Sequence, residues 1–235
     1  MRTEKYKEFF TKDYMMGPNS VRLLDEMLTY VPEETLCGRI LDLGCGMAIT
    51  SLFLARETAA ESVFATDLWI SATENLNSIR KWGEEKRIIP IHAEASELPY
   101  ADGFFDAVVS VDAYHYFGCR DGFFAEKILP LIKPGGYALI AVPGVKDEAD
   151  RANALMKEWL GEDVETIHSG SWWKNHIKQG AEALSVAVYE SKCFDLIWKE
   201  WFESGHEYAL RDKTYLEQGL AERLNFSIIV VNKER

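Results

Sequence analysis

A glycine pair and three carboxylates in this chain are spaced as groups that hold a ligand. Gly44-Cys45-Gly46 follows the apolar run 39–43, which is long enough for a buried strand, too short for a helix, and carries Asp42 near its end. The apolar segment 49–55 then begins a helix. Strand, glycine turn and helix in that order bring a backbone free of Cβ atoms up to a ligand and aim the free N–H groups of a helix start at it. A ligand with polar or anionic groups is expected there. Asp67 closes the next apolar run, 62–66, where a carboxylate can accept both hydroxyls of a ribose. Glu94 follows a third such run, 88–92, and His115 and Tyr116 follow a fourth, 105–111.

Two ligand classes use this layout. A nicotinamide or flavin turn wants glycine at its first, third and sixth positions. The sixth position here is Ile49, too bulky for the close helix–strand packing that the last glycine permits. The stretch 39–48 instead resembles the signature loop of the class I S-adenosylmethionine (SAM) dependent methyltransferases, strand–Asp–x–Gly–x–Gly–x–Gly. Ala48 stands where that family usually has its third glycine, the least disturbing replacement unless the position needs a positive φ. The run Leu98-Pro99-Tyr100-Ala101-Asp102-Gly103-Phe104-Phe105-Asp106 is similar to the family's Leu-Pro-Phe-x-Asp-x-x-Phe-Asp. The resemblance covers about 36–144 by motif and the rest by topology alone.

It implies a SAM cofactor held by Asp42, Gly44, Cys45, Gly46, Asp67, Leu68, Glu94, Ala95, Ser110 and Val111. Asp67 would take the ribose hydroxyls, and Leu68 would flank the adenine edge. Glu94, where the family usually has aspartate, would receive the adenine amino group, with the Ala95 amide on a ring nitrogen. Ser110 and Val111 end the strand beside which the family's methionine moiety lies. The chemistry implied is displacement at the sulfonium methyl by an N, O, S or C nucleophile of a small acceptor. Such a reaction needs mainly alignment and water exclusion, with a base only where the acceptor holds its proton.

The elements that position these groups alternate. Strands are expected over 39–43, 62–66, 88–92, 105–111, 137–142, 183–190 and 226–232, and helices over 21–31, 71–86, 123–131, 147–160, 194–203 and 214–224. That alternation predicts an α/β, doubly wound, mainly parallel sheet. The resembled family has seven strands in the order 3-2-1-4-5-7-6 with the last antiparallel. Residues 1–38 precede the first strand as a helical cap, and 39–235 form the SAM-binding domain, with an aromatic-rich lid insertion at about 145–182.

Acceptor and lid residues are expected in the parts outside the alternation. Tyr14, Met15, Met16 and Asn19 lie beside the Gly17-Pro18 break of the cap; Trp172, Trp173 and His176 lie in the insertion. His115 and Tyr14 are the candidates for catalysis, and Tyr116 for substrate contact. Trp198 and Trp201, at i and i+3 on one helix face, read as core. His168 and His176 have no Cys partner nearby, so metal ligation is not expected.

Composition narrows the partners. A formal net charge of −12 opposes tracking along a phosphate backbone and suits a cationic ligand. The four cysteines show no CxxC pair, which fits reduced thiols in the cytoplasm. No apolar run reaches membrane-spanning length. The expected partner is a small-molecule acceptor, without nucleic acid or membrane, and a homodimer is carried as an open expectation. Methylation of a protein or tRNA, and SAM binding without catalysis, are the alternatives.

Overall fold

The computed structural model describes residues 2–234. The strands are β1 Cys37–Leu43, β2 Ala59–Asp67, β3 Ile88–His92, β4 Phe105–Val111, β5 Ile132–Val145, β6 Ser185–Glu190 and β7 Leu224–Asn232. They form a seven-stranded sheet in the order β3-β2-β1-β4-β5-β7-β6. Neighbours are parallel from β3 through β5, and β7 is antiparallel to both β5 and β6. The alternation of the sequence predicts this mainly parallel α/β sheet, and the strand order is the one the family resemblance implies.

Side chains alternate along each central strand. Ile40, Ala107, Leu139 and Ile228 enter one apolar layer, while Leu41, Val108, Ile140 and Ile229 enter the other. Both faces are therefore covered, as a parallel sheet requires. The α-helices are α1 Ser20–Met27, α2 Ile49–Glu57, α3 Ala72–Trp82, α4 Ala154–Leu160, α5 Gly170–Ile177, α6 Phe194–Glu203 and α7 Glu207–Glu217. All but α5 contribute to the layer holding Ile40; α5 and the segment 113–131 cover the opposite face. No helix of the described residues is long and apolar enough to cross a membrane.

Three elements differ from expectation for identifiable reasons. The helix expected over 123–131 is a single π-helical turn, Phe124–Ile128, followed by a tight turn that contains Pro130, which has no N–H to extend a ladder. The helix expected over 147–160 is broken at Asn153, whose side chain accepts from Leu155 N and Met156 N and starts α4 afresh. The last helix begins at Glu207, not 214, and stops before Gly219, which sits at φ +107°.

The N-terminal cap is clamped to α6 from beneath. Asn19 Oδ1 accepts from Val21 N and Arg22 N, both at 3.1 Å, which caps α1, and Asn19 Nδ2 donates to Glu200 Oε2 at 2.7 Å. Arg22 Nη2 donates to Glu200 Oε1 at 2.6 Å, and its Nε to Glu200 Oε2 at 3.0 Å. These side chains are buried, so the pair is little screened by solvent. Asn19, expected in the lid, is thus a buried capping residue. Met15, also expected there, points into the core at 3% exposure. Removing one partner of a buried pair costs about 3–5 kcal/mol where the other charge is left uncompensated. Arg22 would still hold Glu4 Oε1 at 2.7 Å, so Glu200→Ala should lower the urea-denaturation free energy by less, about 1–3 kcal/mol; a loss below about 1 kcal/mol would mean the clamp holds little.

Candidate active site

The carboxyl ends of β1 and β2 build one wall of a cavity of about 420 Å³. Gly44 N and Cys45 N donate to Thr66 O at 2.8 and 3.2 Å, which ties the glycine turn to β2. Gly46 N donates to Asp67 Oδ2 at 2.8 Å, while Asp67 Oδ1 accepts from Trp69 N and Ile70 N at 2.7 and 2.8 Å. A carboxylate offers about four acceptor sites, so three are in use and one remains for a ligand hydroxyl. The turn's glycines are dictated by contact. A Cβ on Gly44 would lie 2.3 Å from the Ala113 Cβ, and one on Gly46 2.9 Å from the Met16 sulfur of the cap. Ala48 does adopt a positive φ, +62°, the condition under which alanine is not innocuous.

Of the expected cofactor residues, Gly44, Cys45, Gly46, Asp67, Leu68, Glu94, Ala95 and Val111 line this cavity, with Tyr14, Met16 and Tyr116. Two do not. Asp42 is buried beneath the turn, where its Oδ2 accepts from Thr50 Oγ1 at 2.7 Å and Ser51 Oγ at 2.6 Å. It anchors the start of α2, and burial pushes its carboxyl up to about 6 against the pull of those hydroxyls. Ser110 donates to Leu43 O at 2.8 Å and ties β4 to β1 instead of facing the cavity. Cys45 is kept a neutral thiol by burial, which raises it well above its usual value.

The expected aromatic lid lies elsewhere. Trp173 is fully buried on the far face of the sheet, 5.7 Å from the Tyr114 ring. Trp172 stacks between His168 and His176, at 3.5 and 4.2 Å between ring centroids. His176 Nε2 pairs with Gly118 O at 3.0 Å. None of Trp172, Trp173 and His176 lines a cavity at the glycine turn.

A second cavity of about 210 Å³ adjoins the first and shares Met16, Gly17, Pro18, Asp112 and Tyr116 with it. Its far walls are Trp159 of α4, Trp198 and Trp201 of α6, and Tyr208, Arg211 and Asp212 of α7. Trp159 Nε1 and Trp201 Nε1 donate to the two oxygens of Asp212 at 2.8 and 2.9 Å, so that carboxylate is fixed in place. His115 lines this cavity and not the first; Tyr14 lines the first and not the second. The two candidate catalytic residues are thus not brought to one cavity. Burial holds His115 neutral, down to about 3, which leaves it a weak base at neutral pH.

Asp112, which ends the fourth-strand segment after Ser110 and Val111 and to which the sequence alone assigns no role of its own, lines both cavities. It stands between the two cavities in the left-handed region, at φ +56°, with its N–H given to Ala141 O at 2.8 Å. A Cβ on Gly17 would lie 2.6 Å from its Oδ2. Burial, then the negative charge of Asp212, push its carboxyl up to about 8. Its place one residue beyond a strand end was a usable signal; its backbone strain was not visible. Trp198 and Trp201 gave the spacing of core residues, and with Trp159 they wall the second cavity.

Comparison with known proteins bears on the same region. Residues 40–136 match the methyltransferase domain family. A fatty-acid O-methyltransferase of Mycolicibacterium smegmatis is 30% identical over 101 residues, 43% of this chain and 35% of that protein. A 27-O-demethylrifamycin SV methyltransferase of Amycolatopsis mediterranei is 26% identical over 205 residues, 82% of this chain and 72% of that one. The matches span only 35% and 42% of the first two curated relatives. The phosphoethanolamine N-methyltransferase 2 of Haemonchus contortus, in a structure with S-adenosyl-L-methionine, superposes with a TM-score of 0.76 at 18% identity, over 100% of this chain and 58% of that one, a likeness of fold.

If Asp67 accepts a ligand hydroxyl through its remaining lone pair, Asp67→Ala should weaken SAM binding by about 1.5–3 kcal/mol, the worth of one charged hydrogen bond. Calorimetry with SAM and S-adenosylhomocysteine reads this. Unchanged affinity with a lower melting temperature would leave Asp67 as a clamp on the glycine turn alone.

Proposed function

We propose that this chain, whose residues 40–136 form a methyltransferase domain, transfers a methyl group from SAM to a small-molecule acceptor held in the second cavity. The observation that carries this reading is the shared wall. A glycine-cradled cavity with a ribose-type carboxylate shares Met16, Gly17, Pro18, Asp112 and Tyr116 with a smaller aromatic one.

The residues of the first cavity suit SAM. Gly44 and Gly46 admit a close-approaching ligand where a Cβ would already collide, and Asp67 keeps one acceptor site for a hydroxyl. Exposed Leu68 and Trp69 offer apolar faces to a purine. Glu94, whose Oε1 accepts from Ser96 Oγ at 2.6 Å, and the Ala95 amide face the same space. SAM supplies a methyl already activated on a sulfonium and leaves as S-adenosylhomocysteine. What remains for this chain is to aim the acceptor, keep water out and hold a proton. Met16, Gly17 and Pro18 border both cavities and carry out the first two tasks from the cap. Asp112 carries out the third: in its ionised form it takes the acceptor's proton. A folded macromolecule would have to enter a cavity of about 210 Å³ walled by three helices, which favours a metabolite. The four free cysteines fit a reducing, cytoplasmic setting.

Methyl-labelled SAM incubated with the protein and a metabolite extract should yield a labelled small molecule; tight NAD binding without SAM binding would overturn the reading.

Asp112 gives a second test with a definite sign. Between its unfolded value of about 3.9 and its native value of about 8, the native state holds a proton that the unfolded state has lost. Its contribution to stability therefore declines as pH rises across that window. Asparagine stays neutral and tolerates a positive φ. Asp112→Asn should therefore melt above wild type at pH 8, with the gap closing toward pH 4, while turnover falls by about 10²–10⁴-fold. Wild-type kcat/KM should rise with pH up to about 8. Full turnover in the asparagine variant would remove Asp112 from the chemistry.

A further inference from the structure

The acceptor's chemistry is written in the walls of the second cavity. Trp159, Trp198, Trp201, Tyr116 and Tyr208 supply aromatic rings to it. Asp112, Asp163 and Asp212 supply three carboxyl groups, against a single side-chain cation, Arg211, among the described residues that line it. Arg211 does not neutralise them. Its side chain is 55% exposed, 3.7 Å from Asp212, and leans over the Tyr208 ring at 5.8 Å, so solvent screens most of its charge. His115 is neutral and adds no positive charge. A site of rings and carboxylates without a buried cation repels anions and attracts a compact cation.

Two residues of this wall also carry buried polar atoms that are not satisfied at rest. Among the described residues the Trp198 indole N–H and the His115 Nδ1 have no hydrogen-bond partner, and the two residues, 6% and 4% exposed, both line the cavity. Buried polar atoms without partners are uncommon in folded proteins and call for an explanation. Asp112 adds a third polar group without a hydrogen-bonded side-chain partner, at the border where the methyl would cross.

Resting on the proposed methyl transfer, we infer that the acceptor is an amine, admitted as its ammonium between the aromatic walls and Asp212, and methylated on nitrogen. The step balances without a further reagent. The ammonium gives one proton to the ionised Asp112 carboxylate, and the freed nitrogen lone pair forms the N–C bond to the methyl carbon. The C–S bond breaks with its electron pair remaining on sulfur, and the positive charge passes from sulfonium to the methylated nitrogen. Asp112 returns its proton to water when product leaves. An acceptor that also carries an anionic group would direct it to Arg211 at the outer end.

The probe is tetramethylammonium chloride, added to the protein saturated with S-adenosylhomocysteine, with tryptophan fluorescence as the readout and uncharged tert-butanol as the control of similar shape. The ammonium should give a saturable change and the alcohol none. Asp212→Asn should weaken the ammonium at least tenfold. Because Asp212 also holds two tryptophans, the exposed Asp163→Asn serves as the second variant, expected to weaken it severalfold with an unchanged melting curve. Labelled-methyl transfer is then compared within matched pairs, ethylamine against ethanol and glycine against glycolate. N-methyl product from the amine of either pair is expected, and glycine over ethylamine would show Arg211 in use. No saturable ammonium binding, equal binding of tert-butanol, transfer to the oxygen partners, or no transfer to either amine overturns the inference. Failure of S-adenosylhomocysteine to bind at the outset strikes the proposed methyl transfer instead, so the two are separable.

Discussion

Three stretches of chain meet at the carboxyl edge of the sheet with no room between them. Gly44 abuts Ala113, Gly46 abuts the Met16 sulfur, and Gly17 abuts the Asp112 carboxylate, each closer than a Cβ could stand. That crowding holds the cap over the glycine turn and places one residue, Asp112, between two cavities. The clamp of Asn19 and Arg22 on Glu200 serves the same end from beneath, because it fixes α1 to α6 and so fixes the Met16 to Pro18 segment against the cavity's far wall. Cap and sheet are therefore a single mechanical unit as far as the site is concerned.

The strands and the first cavity were legible in the sequence, their order followed only from the family resemblance, and the second cavity was not legible. Strands of a covered parallel sheet announce themselves by apolar runs ended by glycine or aspartate, and ligands collect at their carboxyl ends. Asp67 and the glycine turn follow from that rule. Which tryptophans face a cavity does not follow from any local rule. Trp198 and Trp201 sit on the buried side of α6 at the spacing of core residues, and they do pack as core on one flank. Whether the other flank meets a neighbour or empty space depends on where α4 and α7 come to rest. Trp172 and Trp173 gave the opposite error: an adjacent aromatic pair suggested an open cleft, yet α5 lies flat on the far face and both rings find partners, histidines for one and Tyr114 for the other.

Electrostatics at the site run against stability. Asp42, Asp67, Asp112 and Asp212 converge on one region, where burial, with the charge of Asp67 on Asp42 and of Asp212 on Asp112, raises the Asp42 and Asp112 carboxyls. The protein meets this by unequal treatment. Asp67 receives three backbone N–H groups and Asp212 two indole N–H groups. Among the described residues none donates to the Asp112 side chain, and its carboxyl rises to about 8, further than that of Asp42, which two hydroxyls hold to about 6. A group poised in this way is suited to exchanging a proton near neutral pH, which follows from what its neighbours were given and it was not.

The positive φ of Ala48 raises the question of why a strained residue persists where glycine would fit. A left-handed L-residue costs about 1–2 kcal/mol. Against this, the methyl is fully buried in the layer beneath α2, where a buried carbon of this size is worth about 0.8 kcal/mol. Alanine also narrows the unfolded ensemble relative to glycine, worth about 0.4–1 kcal/mol. The terms cancel to within their uncertainty, so strain at this position is tolerated without a large stability loss. The balance holds only for alanine: at a position already fully buried, any larger side chain would add overpacking to the same strain. The turn can thus depart from an all-glycine pattern at this position, whereas Gly44 cannot follow, because its missing Cβ is excluded by the Ala113 Cβ at 2.3 Å as well as by φ.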